Sequence, residues 1–232
     1  MKMNKIIVDK ENVIEIKDNV VTLDIQVDEL VIHVKGKVLI HEVNIKSNEE
    51  LKLTIYVHPN SSLIYNRFMI HKLANNLITL KQDNNSEAVF NYSMIAHDTC
   101  KLVFNSELLG DNNETEINLY AVTENEGNCN ITSTADTKPK IVNNNLIESI
   151  KILVLNNEES VCVPNLLVAS NEIEVNHACT ISSIDPSYLF YLNSKGLDNE
   201  KAIKLIKNGC LLGNLDIDDE MRSKIQDIIG GE

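Results

Sequence analysis

Tryptophan is absent from this chain of 232 residues, and glycine and proline are scarce, at 8 and 4. Aromatic residues make up only 4%, although 43% of the chain is hydrophobic. A core with so few rings must be assembled mostly from Ile, Leu and Val, a composition that suits stacked, repetitive β packing. Basic runs are missing as well. Lys and Arg number 21 against 34 Asp and Glu, for a formal net charge of -13. So acidic a surface repels phosphates and anionic lipid, which argues against nucleic acid and membrane as partners. No apolar run approaches membrane-spanning length. The N-terminal segment MKMNKIIVDKENV lacks the apolar centre of a secretion signal. The expectation is a soluble, cytoplasmic protein.

Chemistry-bearing motifs are also missing. The five cysteines, Cys100, Cys129, Cys162, Cys179 and Cys210, are odd in number and include no C-x-x-C pair. That spacing argues against a disulfide framework and against a structural zinc site with close ligand pairs. Each cysteine taken alone reads as a small buried apolar residue. No phosphate-binding G-x-x-x-x-G-K-[ST], G-x-G-x-x-G or G-x-S-x-G occurs. The expectation is therefore a non-enzyme, with any ATP hydrolysis supplied by a partner.

What the chain does contain is strand after strand. Apolar, β-branched runs of period two cover Val20 to Ile45, Leu51 to Val57, Leu63 to Ile70, Leu77 to Leu80 and Ala88 to Ile95. They continue over Lys101 to Leu109, Glu116 to Val122, Ile150 to Leu155 and Leu166 to Val168. Asn-rich corners separate them, as at 59–62, 83–86, 110–113 and 143–145. Asn tolerates left-handed backbone and so suits tight corners. Strand and corner recurring without helices fits a β-solenoid, a sandwich or a barrel. Only in a solenoid would the Asn corners stack.

The pattern changes at Asp185. Asp185-Pro186 is a helix start, and the helix it opens stops at Gly196. Asp198 caps a second helix, expected to end at Gly209. A third is expected from Asp218 to Ile229, with Met221, Ile225, Ile228 and Ile229 on one face. The organisation expected is a β core over 1–184 and a helical module over 185–232.

From Pro164 to Gly209 the order of parts is Pro164, His177-Ala178, Asp185, Leu189-Phe190-Tyr191 and Lys195-Gly196. That order resembles the C-terminal signature of the SufB/SufD family, the scaffold proteins of SUF iron–sulfur cluster assembly. A second, weaker likeness covers Glu107 to Val122, which contains LLGDNNETEINLYAV. The resemblance implies an all-β, right-handed parallel β-helix with a small C-terminal helical module. It implies a scaffold that dimerises with itself or a SufB/SufD relative and docks a SufC-type ATPase through its C-terminal helices. Tyr188, Leu189, Phe190, Tyr191, Leu192, Lys195 and Gly196 are the docking candidates. The family's N-terminal helical segment has no counterpart here, so the chain reads as a shortened member.

The resemblance also makes His177 the leading candidate to hold iron or a transient iron–sulfur cluster, since imidazole is a suitable iron ligand. Ala178 in place of Glu makes that position SufD-like. At the family's cluster-associated cysteine position the chain has Ser149, a poor iron ligand. Cys162 and Cys179 lie nearby as substitutes, and Cys179 shares a strand face with His177. Two other readings remain open. One is a purely structural SufD-like partner that holds the ATPase without touching cluster. The other is a β-helix enzyme acting on acidic polysaccharide, which the negative charge disfavours.

Overall fold

The computed structural model describes residues 4–156 and 158–230. It is a parallel β-solenoid of about 6 turns followed by three short helices. Eleven strands form it: β1 (Asn4–Val8), β2 (Val13–Ile25), β3 (Glu29–Val57), β4 (Ser62–Gln82), β5 (Glu87–Ala96) and β6 (Thr99–Leu108), then β7 (Glu114–Thr123), β8 (Asn128–Thr137), β9 (Asn144–Val154), β10 (Val161–Leu167) and β11 (Ile173–Ser183). Every pairing between them is parallel. From β4 onward two ladders climb side by side. One runs β4-β5-β7-β9-β11, the other β4-β6-β8-β10.

Alternation along each strand fills the space between the ladders. Phe90, Tyr92 and Met94 of β5 face Leu102 and Phe104 of β6, all buried in one core cluster. The period-two pattern is thus a direct record of which side chains point inward. The corners stack as a solenoid requires. Asn60, Asn85, Asn112 and Asn143 all take positive φ, between 54° and 59°. Asn112 Nδ2 donates to Asn85 Oδ1 at 3.0 Å, and Asn143 Nδ2 to Asn112 Oδ1 at 3.2 Å. Asn alone among common side chains both tolerates this backbone and extends the ladder. A second ladder, Asn66–Asn91–Asn118, runs up the outside of the sheet with 3.0 Å steps. Steps between stacked residues vary from 25 through 27 to 31 residues. That drift is why the corners carry no strict sequence period.

The helices are α1 (Pro186–Ser194), α2 (Asn199–Leu212) and α3 (Asp219–Gly230). Asp185, Asp198 and Asp218 each accept a backbone N–H of the first turn at 2.8 Å, and Gly196 ends the turn after α1 at φ 92°. One expectation fails: α2 passes through Gly209 and stops at Gly213. A mid-helix Gly costs about 1 kcal/mol, but the extra turn buries Leu211 and Leu212, which outweighs it.

Those leucines cover an apolar column on the outer face of the first ladder. Ile70, Ile95, Val122 and Leu153 stack through successive pairings. They form one cluster with Leu211, Leu212, Leu215, Met221, Ile225 and Ile229. Lys207 Nζ adds an ion pair to Glu124 at 2.7 Å, and Asn66 exchanges hydrogen bonds with the backbone of Asp216 at 2.8 and 2.9 Å. No described helix is long and apolar enough to cross a membrane.

Candidate functional site

The solenoid is open at the end made by β10 and β11. β10 pairs β8, and β11 pairs β9. Register decides which of their side chains face the interior. Cys162 lies over buried Ile131 and Pro164 over buried Ser133. Val175 lies over Leu146, His177 over Glu148, Cys179 over Ile150 and Ile181 over Ile152, all four supporting residues being buried. His177 and Cys179 therefore share the inward face, as their spacing predicts. At this end that face opens to solvent, so both are exposed.

Cys162 and Cys179 meet across the mouth of the coil as a disulfide with Cα atoms 6.7 Å apart. This pair corrects the expectation, drawn from cysteine number and spacing, that disulfides are absent: strand register brings the two together, and the expected strand began only at Leu166 whereas β10 starts at Val161. Cys100, Cys129 and Cys210 remain thiols. Cys100 and Cys129 occupy neighbouring positions on β6 and β8. Burial pushes the Cys100 thiol up to about 12 and that of Cys129 well above its ordinary range, so both are unreactive.

Glu148 is the residue that sequence reasoning missed. It is buried between Leu146 and Ile150, accepts a hydrogen bond from Ser133 Oγ at 2.6 Å and lies directly beneath His177. Burial raises its carboxyl above the ordinary value, against Ser133 and a nearby His177 that both pull it down. An acid at an inward position of Leu146-x-Glu148-x-Ile150-x-Ile152 was the available signal. Ser149, by contrast, has the opposite parity. It is paired with Ala178 and its Oγ is 3.5 Å from the Tyr120 hydroxyl on the outer face. Ser149 and His177 of one chain therefore point to opposite sides of the sheet.

In this oxidised form, no group of three or more His, Cys, Asp and Glu side chains is arranged to hold a metal ion among the described residues. The donor types nevertheless suit iron: an imidazole, two sulfurs that become thiolates on reduction, and a carboxyl below.

Around this mouth lies unusual apolar exposure. Val161, Val163, Leu166, Leu167, Val168 and Ile181 are all exposed. Beyond it stands α1, which has no buried residue. Leu189 and Leu192 are half-buried, and the helix packs chiefly on α2. Tyr188, Phe190 and Tyr191 project into solvent, and Lys195 Nζ lies 5.5 Å from the centre of the Tyr191 ring.

Residues 143–210 match the family model of the SUF system FeS cluster assembly SufBD core domain. Over that segment the chain is similar to the SufB/SufD family. The matched segment runs from β9 to α2, and so contains β10, β11, His177 and α1. A search of curated proteins finds no significant match. The match supports a role in SUF iron–sulfur cluster assembly.

Proposed function

We propose that this chain is a scaffold subunit of the SufB/SufD kind that pairs through the open end of its solenoid and docks a SufC-type ATPase through α1. The observation carrying the proposal is that the family match falls on the segment with exposed strand edges and uncovered aromatic residues. An apolar strand edge invites pairing with another chain, and a second coil of the same architecture fits it, either a copy of this chain or a SufB/SufD relative. An exposed aromatic helix face suits a groove in a partner. ATP-driven movement of the docked ATPases would then open or close the mouth between paired scaffolds.

His177, with Cys162 and Cys179, is the donor set we assign to iron or cluster as cargo. Ser149 supplies no soft ligand. That favours a second reading, a SufD-like partner that organises the ATPase while its relative carries the cluster. The SufD-like Ala178 points the same way. The test is anaerobic co-expression with a SufC-type ATPase and a SufB relative, purified on a tag on this chain. A complex containing iron and sulfide, lost on His177→Ala, supports the cargo-holding scaffold. A stable complex whose iron content ignores His177→Ala supports the structural partner. Failure of any complex to form would overturn both.

A further inference from the structure

We propose that Cys162 and Cys179 form a redox gate, in which the disulfide withholds both sulfurs from metal and reduction presents them beside His177. The inference rests on the reading of this mouth as the cargo site.

Its basis is position. Of the five cysteines, these two sit at inward positions on the last strand of each ladder, one per ladder, where no further described coil overlies them. Cys179 is exposed and Cys162 half-buried against the core cluster. A reductant can reach the bond before a partner coil covers the mouth. The contrast with Cys100 and Cys129 is informative. They too are neighbours on stacked strands, yet they lie deep in the core as high-pKa thiols. A pair needed only to fill space would look like that one. The pair at the mouth instead shares its inward face with an imidazole, above a buried carboxyl.

The chemistry balances with a dithiol reductant. One thiolate of the reductant attacks a sulfur of the Cys162–Cys179 bond and the other cysteine leaves as thiolate. The second thiol of the reductant then displaces the mixed disulfide. Two electrons pass to the protein, two cysteine thiols form, and the reductant becomes a disulfide. The thiols lose their protons on binding metal. A sulfur held in the disulfide has no thiolate to offer.

The test uses the full chain under anaerobic conditions with cobalt(II) as probe, because thiolate ligation of cobalt gives a charge-transfer band in the near ultraviolet. Protein is poised in glutathione or dithiothreitol redox buffers. Free thiols are then trapped with a maleimide, and the linked peptides are identified by mass spectrometry. Cys100 and Cys129 are buried and Cys210 is half-buried, whereas Cys179 is exposed at the mouth, so the mass spectrum separates labelling at Cys162 and Cys179 from that at the other three. The expected result is a thiolate–cobalt band in reduced protein, its loss by at least tenfold in intensity after oxidation, and full recovery after reduction with dithiothreitol that is removed before cobalt is added. Cys162→Ser should keep a weaker band that no longer responds to oxidant. His177→Ala should weaken cobalt binding while leaving the redox response of the Cys162–Cys179 link unchanged. If reduced protein binds cobalt through its thiolates but Cys162 and Cys179 never link, the gate is overturned and the cargo reading stands. If the link forms reversibly and neither state binds cobalt, the cargo reading falls and the gate falls with it.

Discussion

Replacing Phe190 and Tyr191 together by Gln should weaken ATPase docking about a hundredfold without touching the fold. The two residues are 77% and 57% exposed, and α1 buries none of its side chains. Gln is a good helix former, and surface changes of this kind alter stability by no more than about 0.5 kcal/mol. The melting temperature should therefore stay within a few degrees. Burying an aromatic side chain on docking is worth about 1.5–3 kcal/mol. Tyr191 gives the lower figure, because Lys195 already shades one face of its ring. Two such losses come to at least about 3 kcal/mol, or roughly a hundredfold in Kd at 1.4 kcal/mol per decade. Calorimetric titration with a SufC-type ATPase measures the affinity and a thermal melt measures the fold. The buried Ile225→Ala makes the opposite control. It should cost about 2–5 kcal/mol of stability while folded molecules still bind. Affinity of the double variant within twofold of wild type would refute α1 as the docking surface. A melt lowered by ten degrees or more would show that the helix is packed after all.

Two further predictions concern the interior. Arg67 is fully buried between Glu42 and Glu49, bonded to the first and 2.7 Å from the second. Arg67→Met strips Glu42 of its bonded cation and leaves Glu49 with Lys46 at 2.7 Å; it should destabilise by about 3–5 kcal/mol in urea unfolding, with much of the loss recovered when Glu42 and Glu49 are also changed to Gln. Acid should unfold the protein in two overlapping stages. Burial depresses His71 from 6.5 to about 4, so the unfolded chain takes up its proton first and stability falls as pH drops between those values. Burial by itself would raise Glu49, but Arg67, His71 and Lys46 hold it at about 2 instead of 4.5. Its contribution is present above 4.5 and is lost as pH falls toward 2. His71→Gln should flatten the upper stage and Glu49→Gln the lower one, as read by denaturant midpoints across pH.

The sequence made legible what repeats or caps. Positive-φ Asn corners, inward Ile and Leu, and Asp-capped helices each follow from one side chain and its immediate neighbours. β8 escaped notice because Ile131 is the one large apolar residue among its inward Cys129, Ile131, Ser133 and Ala135 and its outward residues are polar, so the strand shows little hydrophobic contrast. The drifting coil length hid the pairing register. Without register nothing joins Cys162 to Cys179, sets Glu148 beneath His177 or turns Ser149 outward. The family signature located the site, whereas its local chemistry depended on which residue lies over which.

The apolar column Ile70–Ile95–Val122–Leu153 has a consequence for synthesis. Its covering residues lie between 211 and 229, and Asn66 is bonded to a residue 150 positions later. At about 5–20 residues per second, the ribosome needs roughly 8–30 s to make that stretch. Throughout it, a half-built solenoid carries a greasy seam along its outer wall, with the Asn66 amide waiting for its backbone partner. The coils can stack as they emerge, but the seam closes only when α2 and α3 have been made. The newborn chain therefore needs protection from its own siblings on the same messenger, through a chaperone or through wide spacing of ribosomes.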